Sequence, residues 1–245
     1  MTSPEQSPRR FQLETGRYDS DKISNGYLER YDPVLSPWLD KEIVLLELGV
    51  RTGGSLLLWR DYFPLATVVG VDIKLPADFT PGERIHTREG NQADRPFLSS
   101  VAEEFASGGF DIIIDDASHI AELTGVSFWH LFEHHLRPGG LYVIEDWGTG
   151  YWDDWPDGRS LDLETYRRPA GWRRRIWSRI ARRLGLKMRW PGHAHGMPAL
   201  IKQLVDEQAA ADVTRRRWEG TPTRRSYFER MIITPSIVFI QKAGR

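Results

Sequence analysis

The sequence predicts an α/β fold: a mostly parallel sheet, an antiparallel strand pair at the C-terminus, and a helical insertion between the two. Three observations carry this. Five short apolar runs rich in Val, Ile and Leu alternate with helical patterns between Glu42 and Asp146, the rhythm of parallel strands covered by crossover helices. Two further runs, 228–234 and 236–241, are separated only by a turn at Pro235, a link that suits antiparallel neighbours. The stretch 147–225 between these groups is patterned as helix and loop.

The elements follow in order. Residues 1–16 are polar. In 18–39, Tyr27, Leu28, Tyr31 and Leu35 have helical spacing, and Pro33 and Pro37 interrupt it, so one short helix and a turn are expected. Residues 42–48 (EIVLLEL) form a buried strand that stops at Gly49, and a helix follows over 55–62. The second strand, 67–73 (TVVGVDI), carries an acid, Asp72, at its end. A weaker third strand, 85–87, precedes a helix over 96–106. The fourth strand is 110–116 (FDIIIDD). A helix over 122–136 stops at the RPGG of 137–140, and the fifth strand is 141–146 (LYVIED).

Composition narrows the function. A hydrophobic fraction of 40% over 245 residues suits one domain with its own core. No apolar run reaches transmembrane length, and the first residues lack a signal-peptide core, so a cytoplasmic protein is expected. Cysteine is absent, which excludes disulfides and thiolate metal sites and leaves oxygen and imidazole as metal ligands. The net charge of -1 gives no global case for nucleic acid. Acids dominate up to Asp157, however, and the chain is strongly basic from Arg159 to Arg230, with arginine runs at 173–175 and 215–217.

The first chemical motif follows the first strand: Glu47-Leu48-Gly49-Val50-Arg51-Thr52-Gly53-Gly54-Ser55. Glycines let a backbone turn tightly and approach a ligand closely. Asp72, at the end of the next strand, can accept hydrogen bonds from ribose hydroxyls. A dinucleotide-binding dehydrogenase shares that logic, although the glycine spacing is not G-x-G-x-x-G, and ordinary turns would also use these glycines.

The second motif is acidic. Asp115-Asp116-Ala117-Ser118-His119 follows the fourth strand and Glu145-Asp146 the fifth. Adjacent strands lie about 5 Å apart, so these acids converge, and converging carboxylates need a counter-charge. A hard cation answers that need, Mg²⁺ before Mn²⁺, with Asp116, Glu145 and Asp146 as ligands. The competing reading has these acids capping helices or pairing with arginines. His119, three residues beyond Asp116, is the expected general base, against the alternative of a structural histidine. Such a set suits methyl transfer to a hydroxyl. The donor's methyl leaves a positively charged sulfonium without help, whereas an alkyl hydroxyl needs a cation to lower its pKa and a base to take its proton.

At these residues the sequence resembles the metal-dependent sugar O-methyltransferases, including the macrolide deoxysugar enzymes and the actinobacterial enzymes acting on mannosides or rhamnosides. The matches are ELGVRTGGS, GVDI, GNQAD, FDIIIDDASH and LRPGGLYVIED, with an upstream segment from Tyr18-Asp19-Ser20-Asp21-Lys22 to Tyr31. Ala117 stands where the family often has Gly. The resemblance implies a Rossmann-like class I methyltransferase sheet. It places S-adenosylmethionine against Glu47, Gly49, Ser55, Asp72, Gln92, Asp94 and Asp115, Mg²⁺ on Asp116, Glu145 and Asp146, and His119 as base. It also implies one domain over 1–245: an N-terminal helical segment (1–40), a cofactor and metal core (41–146), an acceptor lid (147–225) and a C-terminal strand pair (226–245).

Within the lid, Trp147, Tyr151, Trp152 and Trp155 alternate with Asp153, Asp154 and Asp157. Aromatic faces and acids suit a sugar acceptor, and the same tryptophans could equally pack the lid onto the core. Trp172, Ile176, Ile180 and Leu184 outline an amphipathic helix, and His193 and His195 sit in a Gly/Pro-flanked loop. The expected reaction is methylation of a mannoside or short oligosaccharide in polysaccharide biosynthesis, by a protein that binds no nucleic acid and could form a homodimer. A macrolide deoxysugar, a rhamnoside or a phenolic acceptor are the alternatives, and a methyltransferase-like binding domain without activity is a rival of a different class.

Overall fold

The computed structural model describes residues 7–160, 195–215, 217 and 219–244. Seven strands form one sheet: β1 (Val44–Leu48), β2 (Thr67–Asp72), β3 (Ile85–Glu89), β4 (Phe110–Asp115), β5 (Leu136–Glu145), β6 (Phe228–Ile233) and β7 (Ile237–Lys242). Their order is β3-β2-β1-β4-β5-β7-β6. The first five are mutually parallel, and β7 runs antiparallel to both β5 and β6. The expected α/β architecture with its antiparallel C-terminal pair is therefore the observed one.

Alternate residues of each strand serve opposite faces. Leu45, Val68, Ile112, Ile114, Leu141, Val143 and Phe239 pack with α2 (Leu28–Leu35) and α3 (Gly54–Tyr62) on one face. Leu46, Val69, Ile113, Tyr142, Ile144 and Val238 pack with α4 (Arg95–Phe105), α5 (Ala121–His134) and α6 (Gly196–Gln208) on the other. A one-turn helix, α1 (Asp21–Ser24), precedes α2, and α7 (Ala210–Arg215) follows α6.

Two local expectations are corrected. Pro33 lies inside α2 instead of ending it. A proline in a helix interior costs about 3 kcal/mol, but Tyr31 and Leu35 are fully buried, each worth roughly 1.5–3 kcal/mol. The Tyr31 ring also meets Trp59 and Phe239 edge-on at 5.0 and 5.3 Å. The RPGG segment does not separate α5 from β5. β5 begins at Leu136, paired with Phe110, and the register shifts before Ile112 pairs with Leu141. Gly139, at φ +76, absorbs that irregularity.

Candidate active site

A cleft of about 680 Å³ opens beyond the carboxyl ends of β1, β2 and β4, where the strand order reverses and open α/β sheets take ligands. The loop after β1 crosses the end of β4. Gly49 N–H donates to Val71 O at 2.8 Å and Asp116 N–H to Leu48 O at 2.9 Å. Gly49 has φ +98, and a Cβ there would collide with the Asp116 carbonyl, so this position accepts only glycine. Gly54 has a different reason. A side chain there would strike the Asp19 backbone, whose carbonyl accepts from Thr52 Oγ1 at 3.0 Å. That glycine makes room for the N-terminal segment, which puts Asp19, Ser20 and Asp21 on the cleft wall.

Of the residues expected to hold the methyl donor, Gly49, Ser55, Asp72 and Gln92 line the cleft. Asp72 accepts from Val50 N–H at 2.7 Å, Arg51 N–H at 3.2 Å and Lys74 N–H at 3.0 Å, and so fixes the glycine loop to the end of β2. Gln92 accepts from Ser118 N–H at 3.1 Å and donates to Asp115 at 3.3 Å. Glu47, Asp94 and Asp115 do not line the cleft. Glu47 has the parity of Leu45 and is fully buried, accepting from Ser55 Oγ at 2.7 Å and Trp59 Nε1 at 3.1 Å. Asp94 caps α4 through Phe97 N–H. Asp115 has the parity of Ile113 and turns to the opposite face, where Ser127 Oγ and Tyr142 OH donate to it at 2.7 and 3.1 Å. Burial pushes its carboxyl up to about 6, against those hydrogen bonds. It acts by holding Gln92.

Asp116, His119 and Asp146 converge at the cleft, with one donor atom from each lying within 4.8 Å of the others. His119 Nε2 is 3.8 Å from Asp116 Oδ1, and the His119 and Trp155 rings meet edge to face with centroids 5.2 Å apart. His119 and Asp146 both have left-handed backbone, φ +53 and +51. For non-glycine residues this costs on the order of 1–3 kcal/mol and concentrates at functional sites. Tyr27 OH donates to Asp146. Burial raises the Asp146 carboxyl despite that bond, and the charge of Asp116 raises it further. Two carboxylates and an imidazole at this spacing fit a divalent cation of the oxygen-preferring kind.

Glu145, expected as the third ligand, lies outside this cluster. It shares the parity of Leu141 and Val143, so its side chain enters the face that packs against α2. There it is 1% exposed, accepting from Tyr31 OH and from Lys22 Nζ at 2.9 Å. Burial first and Asp116 second push its carboxyl well above the usual range, with Lys22 opposing. Glu145 Oε2 and Asp116 Oδ2 share Lys22 Nζ, at 2.9 and 2.5 Å, so Glu145 stands directly behind Asp116. Lys22 was not foreseen as a site residue. Strand alternation turns Glu47 and Glu145 onto the face carrying the N-terminal segment, but it does not locate the lysine that meets them there.

Beyond β5 the aromatic residues separate. Trp147 donates from Nε1 to Thr234 O at 3.0 Å and Trp152 is 54% exposed, while Trp155 lines the cleft. Asp157 does not line the cleft. It is buried and accepts from Ala121 N–H and Met197 N–H, both at 2.9 Å, so it caps α5 and α6 together. His195 directly precedes α6. The arginines of 173–175, the helix expected around Trp172, Ile176, Ile180 and Leu184, and His193 lie outside the described residues. Among the described residues no helix is long and apolar enough to cross a membrane.

No protein-family model matches the chain. Curated relatives do. Mycinamicin VI 2''-O-methyltransferase of Micromonospora griseorubida is 38% identical over 147 residues, covering 56% of this chain and 36% of the relative. 8-Demethyl-8-alpha-L-rhamnosyl tetracenomycin-C 2'-O-methyltransferase of Streptomyces olivaceus is 39% identical over 159 residues, covering 61% and 40%. L-olivosyl-oleandolide 3-O-methyltransferase of Streptomyces antibioticus is 41% identical over 146 residues, covering 56% and 36%. The chain thus spans well under half the length of these relatives. Among solved structures it resembles the mycinamycin-pathway methyltransferase MycE in complex with Mg, SAH and mycinamycin VI. That match has a TM-score of 0.69 at 26% identity, over 98% of this chain and 55% of the other. The resemblance to metal-dependent sugar O-methyltransferases read from the sequence motifs holds in both comparisons.

Proposed function

We propose that this chain transfers a methyl group from S-adenosylmethionine to a hydroxyl of a deoxysugar carried by a macrolide or another polyketide. The observation that carries the reading is the convergence of Asp116, His119 and Asp146 in the cleft that Gly49, Asp72 and Gln92 also line. The relatives support the acceptor class. By name they methylate mycinamicin VI, a rhamnosyl tetracenomycin and an olivosyl oleandolide, and this favours a polyketide-borne deoxysugar over the mannoside of polysaccharide synthesis that the sequence first suggested.

Asp116 and Asp146 would hold the divalent cation, which when bound lowers the pKa of the acceptor hydroxyl. His119 takes the hydroxyl proton at Nε2, its ring held by Trp155 and by its place in the turn after β4. Asp72 and Gln92 orient the nucleoside of the donor, one from the end of β2 and one through the loop that also fixes Ser118. Holding both reactants in one cleft removes much of the entropic barrier to in-line attack. Trp155 is the aromatic face against which the sugar packs.

The test is a methyl-transfer screen over deoxysugar-bearing polyketides and simple mannosides. Turnover is expected on the former, and turnover restricted to mannosides would return the function to polysaccharide chemistry. In the same assay Trp155→Ala should raise KM for the acceptor by about tenfold, the equivalent of roughly 1.4 kcal/mol of lost contact, with donor affinity unchanged. Asp72→Ala should do the converse and weaken donor binding by tenfold or more in calorimetry. An unaltered donor Kd would remove Asp72 from that role.

A further inference from the structure

Lys22 belongs to α1 and has no solvent exposure. Fully buried lysines are rare unless paired, and this one faces three carboxylates from three parts of the sheet. Its Nζ lies 2.5 Å from Asp116 Oδ2, 2.9 Å from Glu145 Oε2 and 3.3 Å from Glu47 Oε1. Burial opposes its charge, and the three acids together more than offset that and hold it protonated. Two of the acids have other donors. Tyr31 serves Glu145, while Ser55 and Trp59 serve Glu47. Among the described residues, Lys22 alone donates a hydrogen bond to the Asp116 side chain.

We propose that Lys22 is a positioning residue for the metal-binding carboxylates. It holds the inner oxygen of Asp116, Oδ2, so that the outer oxygen, Oδ1, faces His119 and Asp146. It also supplies the positive charge that lets Glu47 and Glu145 sit behind Asp116 without driving it out of place. The N-terminal segment thereby becomes part of the site and not merely a cover on the sheet. This inference rests on the metal-assisted reading above.

The experiment measures Mn²⁺ binding to the full chain by electron paramagnetic resonance of the free ion, below the melting transition of each variant. Wild type is expected to bind, and absence of binding would remove the metal reading itself. Lys22→Met, similar in length but uncharged, is expected to weaken Mn²⁺ at least tenfold. Tyr18→Phe provides the comparison. It removes the 2.9 Å bond from Tyr18 OH to Asp61, another anchor of the same segment, and should leave Mn²⁺ affinity unchanged even where Tm falls. If Lys22→Met does not fold, Lys22→Met with Glu47→Gln restores the buried charge balance and is expected to show the same weakening. Wild-type Mn²⁺ affinity in the folded Lys22→Met or double variant would overturn the proposal and leave Lys22 as a structural anchor.

Discussion

Replacing His119 with asparagine is expected to lower methyl-transfer turnover by about 10²–10⁴-fold, the range general bases contribute, while leaving donor affinity nearly intact. Asparagine is chosen because the position has φ +53, and Asn is among the few residues that accept left-handed backbone at small cost. The substitution therefore removes the proton acceptor without burdening the turn after β4, and Tm should stay level or rise. The same variant separates two roles that the cluster allows, since His119 lies with Asp116 and Asp146 within one ion's reach. A base loses turnover and keeps Mn²⁺ affinity, and a ligand loses both. Retention of most activity would place the proton acceptor elsewhere.

The parallel core was legible because β1, β2, β4 and β5 carry short apolar runs that stop at a glycine or an acid, and the structure keeps their carboxyl ends within a residue of the expected ones. The direction of the acidic side chains was harder to read. Taken as a set, Asp115, Asp116, Glu145 and Asp146 look like one convergent cluster at neighbouring strand ends, with Glu47 near the end of β1 beside them. Strand alternation divides them. Glu47 and Glu145 go to the α2 face, Asp115 goes to the α5 face, and Asp116 and Asp146, one residue past their strands, reach the cleft. That division follows from the period of two and could have been drawn from Leu45, Ile113 and Val143 alone. Lys22 could not have been located the same way. It belongs to a one-turn helix whose placement depends on contacts across the whole sheet, including the absence of a side chain at Gly54 against Asp19. Asp157 and Asp94 mislead for a further reason. An acid near a site and an acid capping a helix look alike in sequence, and both of these cap helices.

Chelation is expected to abolish turnover, and excess Mg²⁺ to restore it. Asp146→Asn should suppress activity to a similar depth and require far more Mg²⁺ for what remains. The physical case lies in the resting site. The Asp116 and Asp146 carboxylates lie within 4.8 Å of each other, a separation at which two like charges repel by about 3 kcal/mol at an effective dielectric of about 20. Burial raises the Asp146 carboxyl and the charge of Asp116 raises it further, so the folded site opposes the negative charge on Asp146. A divalent cation reverses the sign of that interaction, because each carboxylate then faces a positive charge. Binding to the folded state alone must also stabilise it, by about 2.7 kcal/mol at a concentration one hundred times Kd. Mg²⁺ should therefore raise Tm in wild type and raise it much less in Asp146→Asn. Lys22 does not replace the cation here, since its ammonium contacts Asp116 from the buried side. Full turnover in chelator, with a Tm indifferent to Mg²⁺, would leave His119 to deprotonate the hydroxyl unaided and would reduce Asp116 and Asp146 to electrostatic support for its protonated form.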